Sequence, residues 1–346
     1  MRHKITTNQL ERDLRETVAF GPWQVGDKLP PEEYFMEHFN VSRSSLREAM
    51  KTMISEGIIV RRHGSGTFLH CIPRKRIELF VRLDNIISPM GNWYRLQIEQ
   101  LKSYCRSLDI DLEVLVSYGD TTGEEVASFK RHLSRPVTSE LLGSLVFFYS
   151  QEIEECLVKR GAFFVTVAPL CNAPFQGSAV SLNYLELAAK LAAERKRLKA
   201  CKPILFYIDD PVETTGLHQY QELHQVYDTI LPDSSRHRLI PAMYDVQKFF
   251  TSWLEKEGAD CDLLIFTDDE VARPALEILA QRKKAYPELR IISHGRPGIF
   301  DSLPDSCKPA FTAGFEPDRV LRAAWNMLME HSSGNRQIKI SPSCSC

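Results

Sequence analysis

No run of about 18 consecutive apolar residues occurs in this chain, so no membrane-spanning helix is expected. The opening residues, Met1 to Thr6, carry Arg2, His3 and Lys4 and no apolar leader core, so export is not expected and a cytoplasmic location is. No Cys-x-x-Cys pair exists among the nine cysteines, an odd number scattered from Cys71 to Cys346. That pattern reads as reduced thiols, not as a disulfide framework or a zinc site. Cys344-Ser345-Cys346 at the end reads as a frayed tail. Also missing are a Gly-x-Ser-x-Gly elbow, a Walker loop, a Gly-x-Gly-x-x-Gly turn after a strand and a His-x-x-x-His pair. Chemistry needs a set of groups and none is visible, so the chain is not expected to be an enzyme, and no cofactor or metal is called for. No internal repeat or low-complexity segment appears.

What is present starts with size and charge. At 346 residues the chain suffices for two or three domains, and 43% hydrophobic residues can bury a sizeable core. The net charge of −2 is unevenly spread. Residues 1–76 hold 13 basic and 9 acidic side chains, a balance of +4, while the remainder stands at −6. The first part is therefore the one suited to a polyanion.

The stretch Asn40 to Leu69 is the most informative. Ser42 is placed to cap a helix. Leu46, Ala49, Met50, Met53 and Ile54 then recur at i, i+3, i+4, i+7 and i+8, one buried stripe. Ser44, Arg47 and Lys51 fall on the opposite face, with Arg43 on the flank of the first turn. Gly57 stops the helix. Ile58–Arg62 and Thr67–Leu69 read as two short strands around a Gly64-Ser65-Gly66 tip. Before this, Thr7–Phe20 carries Leu10, Leu14 and Val18 at helical spacing. Asp27 to Glu33 is a turn leading into a second helix that buries Tyr34, Phe35 and Phe39. Helix, helix, turn, helix and two-stranded wing make a winged helix-turn-helix.

Residues 5 to 69 resemble the DNA-binding domain of the GntR family of bacterial regulators. The matching words are Gly26-Asp27-Lys28-Leu29-Pro30, Val41-Ser42-Arg43, Leu46-Arg47-Glu48-Ala49-Met50, Gly57-Ile58-Ile59-Val60 and Gly64-Ser65-Gly66-Thr67-Phe68. The resemblance implies that Arg43 and Arg47 contact bases and phosphates and that the wing tip enters the minor groove. The candidate DNA-contacting set is Lys28, Arg43, Ser44, Ser45, Arg47, Lys51, Arg62, His63, Gly64, Ser65, Gly66 and Thr67. One position departs. Where the family usually has Ser-Glu-Arg, this chain has Pro31-Glu32-Glu33, so an acid stands where an arginine would touch DNA.

Cys71 to Arg76 reads as a linker, dividing residues 1–70 from 77–346. Beyond it, strand candidates at 77–83, 112–117, 144–149, 163–168, 203–208, 262–267 and 289–293 alternate with helical stretches. The latter lie at 92–107, 123–133, 151–160, 185–199, 217–230, 246–257, 271–283 and 317–330. Such alternation predicts parallel sheets with helices on both faces, arranged as two doubly wound lobes.

This stretch resembles the two-lobed, periplasmic-binding-protein-like sensing domain of LacI/GalR-type repressors. The words are Pro89-Met90-Gly91-Asn92-Trp93-Tyr94, Leu145-Val146-Phe147-Phe148 and Ile265 to Ala272. Joined to a GntR-type head, it is similar to arabinose-responsive repressors of Gram-positive bacteria. Ligands of open α/β lobes bind at strand carboxyl ends. The candidate effector set is Asp84, Trp93, Tyr94, Tyr149, Asn183, Asp269, His294 and Arg296. Carboxylates with aromatics suit a sugar or sugar derivative, and Arg296 could meet a carboxylate or phosphate. Asp269 ends an apolar strand just before a helix, where it either caps the helix or accepts ligand hydroxyls. Departures from the family fall at Pro169-Leu170, at Leu182 and at His294-Gly295-Arg296.

The expectation is a DNA-binding transcriptional regulator, a repressor, that binds a double-stranded operator as a homodimer under control of a small-molecule effector. Alternatives are a regulator whose second domain only dimerises, and a solute-binding receptor.

Overall fold

The computed structural model describes residues 7–72, 74–87, 92–118, 122–138, 140–168, 173–209, 225–241, 246–282, 286, 288–296, 298–330 and 335–345. By spatial contact the chain divides into two compact units. One comprises Met1–Ile77, Cys105–Glu113 and Pro136–Leu142; the other comprises Glu78–Tyr104, Val114–Arg135 and Gly143–Cys346.

The first unit contains α1 (Thr7–Phe20), α2 (Glu32–Phe39), α3 (Arg43–Ser55) and a hairpin of β1 (Ile59–Arg62) with β2 (Gly66–Leu69). The expected stripes meet in one core. Leu10, Leu14 and Val18 of α1 pack with Leu46, Ala49, Met50 and Met53 of α3 and with Phe35, Ile58 and Leu69. Burying such a set, at roughly 1.5–3 kcal/mol for each large side chain, holds the three helices together. Asn40 ends α2 in the left-handed conformation, φ 51°. At Gly57, φ 73°, the α3 backbone reverses, and the Ile58 N–H reaches back to the Met53 carbonyl at 2.9 Å. The expectation that α2 buries Tyr34 is corrected: Tyr34 is 45% exposed, Phe39 is half-buried and only Phe35 enters the core. Tyr34, one position before the buried Phe35, turns about 100° away from the core face.

The two sheets have six strands each. The first runs β13-β7-β6-β5-β3-β4 and the second β14-β12-β11-β10-β8-β9. Strands of the first are β3 (Arg76–Arg82), β4 (Asp111–Ser117), β5 (Leu141–Val146), β6 (Phe164–Ala168), β7 (Ser178–Leu182) and β13 (Gln337–Ile340). Those of the second are β8 (Pro203–Asp209), β9 (His237–Pro241), β10 (Leu263–Phe266), β11 (Arg290–His294), β12 (Phe311–Gly314) and β14 (Ser343–Ser345). The helices are α4 (Asp84–Ile87), α5 (Asn92–Ser107), α6 (Thr122–Leu133), α7 (Gln151–Arg160), α8 (Tyr184–Arg197), α10 (Val246–Lys256), α11 (Asp269–Arg282) and α12 (Pro317–Glu330), with residues 225–230 forming α9. Much of the stretch expected as helix at 217–230 lies outside the described residues.

The alternation expected from sequence is present, with three corrections. The strand expected at 144–149 runs 141–146: Gly143, at φ 150°, takes a backbone that favours glycine inside it, beneath α12, and just beyond its end the Phe147 N–H still bonds the Phe80 carbonyl at 2.9 Å. Five strands were unread: β7, β9, β12, β13 and β14. The Cys344 tail is not frayed. Ser343, Cys344 and Ser345 pair antiparallel with Gly314, Ala313 and Thr312, adding an antiparallel edge to an otherwise parallel sheet.

Within the second unit the chain passes between the sheets three times. β7 leads through Asn183 into α8, which packs on β11 and β12. β12 leads into α12, which packs on β6 and β7. Ser341-Pro342 then carries β13 of the first sheet into β14 of the second. Side chains tie these crossings. The Glu186 carboxylate accepts from Ser341 Oγ at 2.6 Å and from Asn183 Nδ2 at 3.0 Å. Lys190 Nζ donates to the Pro342 carbonyl at 2.9 Å. These partners hold the Glu186 carboxyl below its ordinary value, the Ser341 bond most of all.

Candidate DNA-binding and effector sites

The candidate nucleic-acid surface is built on α3. Ser42 has extended backbone, and its Oγ accepts the Ser45 N–H at 3.2 Å, the expected cap. Ser44 Oγ lies 2.8 Å and Ser45 Oγ 3.0 Å from the same oxygen, so these hydroxyls form a short network at the helix start. Arg43, Arg47 and Lys51 are half or more exposed. Lys51 pairs with Glu48 at 2.7 Å.

The arginines are not bare. Arg43 donates to the Glu33 carboxylate. Arg47 Nε donates to both Glu32 oxygens, at 3.0 and 3.2 Å. Arg61 also reaches Glu32, at 2.5 Å. Glu32 thus ties α3 and the hairpin together. Sequence reading chose Arg62 and missed Arg61. Successive strand residues point to opposite faces. Arg61 takes the face toward α2 and α3, while the Arg62 guanidinium lies 4.7 Å from the Phe68 ring centre on the other.

The wing places Arg62 opposite Gly66, with His63, Gly64 and Ser65 at the tip. The Ser65 N–H donates to the Arg62 carbonyl at 3.0 Å. Gly64 (φ 70°) and Gly66 (φ 116°) take conformations that favour glycine. A Cβ on Gly66 would also stand 2.7 Å from Lys28 Cε. Lys28 therefore lies along the wing, fixed by backbone bonds from Leu29 N–H to the Thr67 carbonyl and from Leu69 N–H to the Asp27 carbonyl, both 2.9 Å. The structure thus brings together Lys28 with the wing residues, and Arg43 with Arg47.

Tyr149, Asn183, Asp269, His294 and Arg296 lie at or within three residues of the carboxyl ends of β5, β7, β10 and β11, while Trp93 and Tyr94 lie in the first turn of α5. In the first sheet's lobe, the Trp93 and Tyr94 rings meet edge-on with centres 5.1 Å apart, and Tyr94 lies 6.3 Å from Phe147. Tyr149 meets Phe175 edge-on at 5.5 Å. Tyr149 Oη and Ser150 Oγ are buried with no hydrogen-bond partner among the described residues. Burial pushes the Tyr149 hydroxyl above its ordinary value, and Glu154 adds to it. Gln97, which sequence reading missed, is wholly buried, and neither amide atom has a hydrogen-bond partner among the described residues. Its position on the apolar face of α5 gave the only signal. The Asp84 side chain lies outside the described residues.

In the second lobe three candidates converge. Asp269, at the start of α11, accepts from the Arg296 backbone N–H at 3.0 Å and from Arg296 Nε at 2.8 Å. Both side chains are buried. His294, at the end of β11, is buried beside them, and neither ring nitrogen has a hydrogen-bond partner among the described residues. Burial depresses its pKa; the Asp269 carboxylate opposes that and the Arg296 guanidinium reinforces it. Tyr184 and Phe315 flank the imidazole, with ring centres 6.3 and 6.0 Å away. An ion pair beside a neutral imidazole offers hydrogen bonds without net charge. Asn183 is otherwise engaged: its Oδ1 accepts the Glu186 N–H at 3.3 Å and caps α8.

Residues 6–69 match the family model for bacterial regulatory proteins of the gntR family. The Exu regulon transcriptional regulator of Escherichia coli (strain K12) is 45% identical over 58 residues, 17% of this chain and 22% of that one. The chain covers less than a third of the length of the curated relatives it matches. Among solved structures, the transcriptional regulator CelR–cellobiose complex superposes with a TM-score of 0.56 at 12% identity, over 88% of this chain and 90% of that one. A LacI family transcriptional regulator from Silicibacter pomeroyi gives 0.58 at 14% identity, over 78% and 96%. A gntR-type helix-turn-helix domain thus precedes a two-sheet α/β fold of the periplasmic-binding-protein type.

Proposed function

We propose that this chain is a cytoplasmic, sequence-specific DNA-binding transcriptional regulator, acting as a homodimeric repressor whose operator binding responds to a sugar or sugar derivative. The observation that carries the reading is the pairing, in one chain, of an exposed arginine-bearing recognition helix and wing with a two-lobed fold that buries hydroxyl, amide and imidazole groups without hydrogen-bond partners among the described residues. Such groups cost free energy unless a ligand or water meets them. A polyhydroxy ligand supplies both donors and acceptors for Tyr149, Ser150 and His294, and aromatic faces at Trp93 and Tyr94 suit its C–H surface.

Regulation follows from two-state lobe geometry. A ligand that binds one arrangement of the lobes better shifts the population toward it, and the two heads of a dimer change spacing relative to operator half-sites.

The test is selection of genomic fragments by the full-length protein, followed by gel shifts in the presence of sugars, sugar acids and sugar phosphates. Recovery of one pseudo-palindromic site, released by one compound class, is the expected result. Specific binding that no compound alters would favour a second domain that only dimerises. Failure to enrich any sequence would defeat the DNA-binding reading itself.

A further inference from the structure

We propose that Glu33 is a specificity-determining residue of the DNA-binding surface: by occupying Arg43 it suppresses sequence-independent attachment to phosphates. The inference rests on the DNA-binding reading above and adds a role for an acid outside the candidate contact set.

The two acids that open α2 differ in exposure. Glu32 is 18% exposed in its side chain and gathers Arg47 and Arg61, with Arg43 at 3.8 Å. It is a covered hub that positions arginines of helix and wing. Glu33 is 59% exposed and pairs with Arg43, itself 50% exposed. The first cation of the recognition helix, half exposed, therefore stands neutralised on the surface that would meet DNA.

The consequence is electrostatic. Non-specific affinity comes almost wholly from cations that neutralise phosphates and release counterions. A guanidinium already holding a carboxylate gains little by exchanging it for a phosphate. After the exchange, the displaced carboxylate remains close to the polyanion and repels it. Base-edge hydrogen bonds do not depend on counterion release, so the specific complex loses less. Exposed ion pairs are weak and exchange quickly, so the pair does not bar Arg43 from an operator. The Glu33 oxygens can themselves accept from a cytosine amino group, a contact no phosphate offers.

The probe is a random-sequence duplex of about 30 base pairs, titrated with the full-length chain by fluorescence anisotropy over a series of salt concentrations. Glu33→Gln is the main variant and Glu33→Ala the second, in case one alters folding; circular dichroism checks each. Glu37→Gln, on the same helix and exposed, carries the same change in charge at an acid outside the ion pairs of Arg43, Arg47 and Arg61. Glu33→Gln and Glu33→Ala are expected to bind the duplex about three- to tenfold more tightly at low salt. The slope of log K against log salt should steepen by about 0.9, one further phosphate. Glu37→Gln should shift neither by as much. Affinity and slope equal to wild type, or a change matched by Glu37→Gln, overturn the role of Glu33 while leaving DNA binding intact. No binding by wild type or any variant at any salt defeats the DNA-binding reading and this inference with it.

Discussion

Asp269 holds Arg296 twice through a single oxygen, Oδ2, which accepts both the backbone N–H at 3.0 Å and Nε at 2.8 Å. The carboxylate that sequence reading placed either as a helix cap or as a ligand contact is first a clamp. It joins the start of α11 to the segment following β11, and it supplies the counter-charge for a buried guanidinium beside His294.

Asp269→Asn is therefore expected to destabilise the protein, by about 3 kcal/mol. That is the low end for breaking a buried ion pair, because the amide oxygen still accepts one bond. A side chain that only capped α11 would tolerate Asn, since Asn and Asp are comparable caps. Thermal or urea denaturation checks it; a change under about 0.5 kcal/mol, the scale of ordinary surface substitutions, would contradict the clamp.

His294 makes stability depend on pH. Its folded pKa lies below the ordinary value of 6.5, so on acidification the unfolded chain takes up this proton first. The contribution is fully present above about 6.5 and is lost as the pH falls toward the folded pKa, by up to about 1.4 kcal/mol per unit. Urea midpoints at pH 7.5 and 5.5 should fall further apart for wild type than for His294→Gln. Equal differences would remove the imidazole as the cause.

Gly314 admits no side chain. A Cβ there would lie 2.2 Å from the Gly295 carbonyl oxygen, which is backbone and cannot swing aside. Gly314→Ala should cost about 1–3 kcal/mol through overpacking and should disturb the neighbouring Arg296 segment. Tryptophan fluorescence and denaturation of the full-length variant measure this; wild-type stability would show that the strands separate freely there.

Arg47→Ala should weaken operator binding by about 1–3 kcal/mol if its side chain leaves Glu32 to read a base edge. Anisotropy with the selected operator gives the value. Unchanged affinity in a folded variant would remove α3 as the recognition helix.

Much of the architecture was legible in the residues. The 3.6-residue spacing of Leu10, Leu14 and Val18, and of Leu46 to Met53, determined two helices and the faces they bury. Ser42, Gly57 and the Gly64 tip fixed where α3 and the wing begin and end, because cap and turn chemistry is local. Alternating apolar runs and helical stripes established the α/β lobes.

Tertiary structure alone decided the rest. Gln337–Ile340 joins β7 and Ser343–Ser345 joins β12, two strands of different sheets separated by two residues. Short strands of four and three residues carry too little periodicity to be read, and nothing local names their partners. Glu32 meets Arg47 across 15 positions and Arg61 across 29, and Asp269 meets Arg296 across 27. An arginine or aspartate has the same local signature whether it is free or held. Its partner is chosen by the packing of distant elements, and with that choice goes its charge, its exposure and what it can bind.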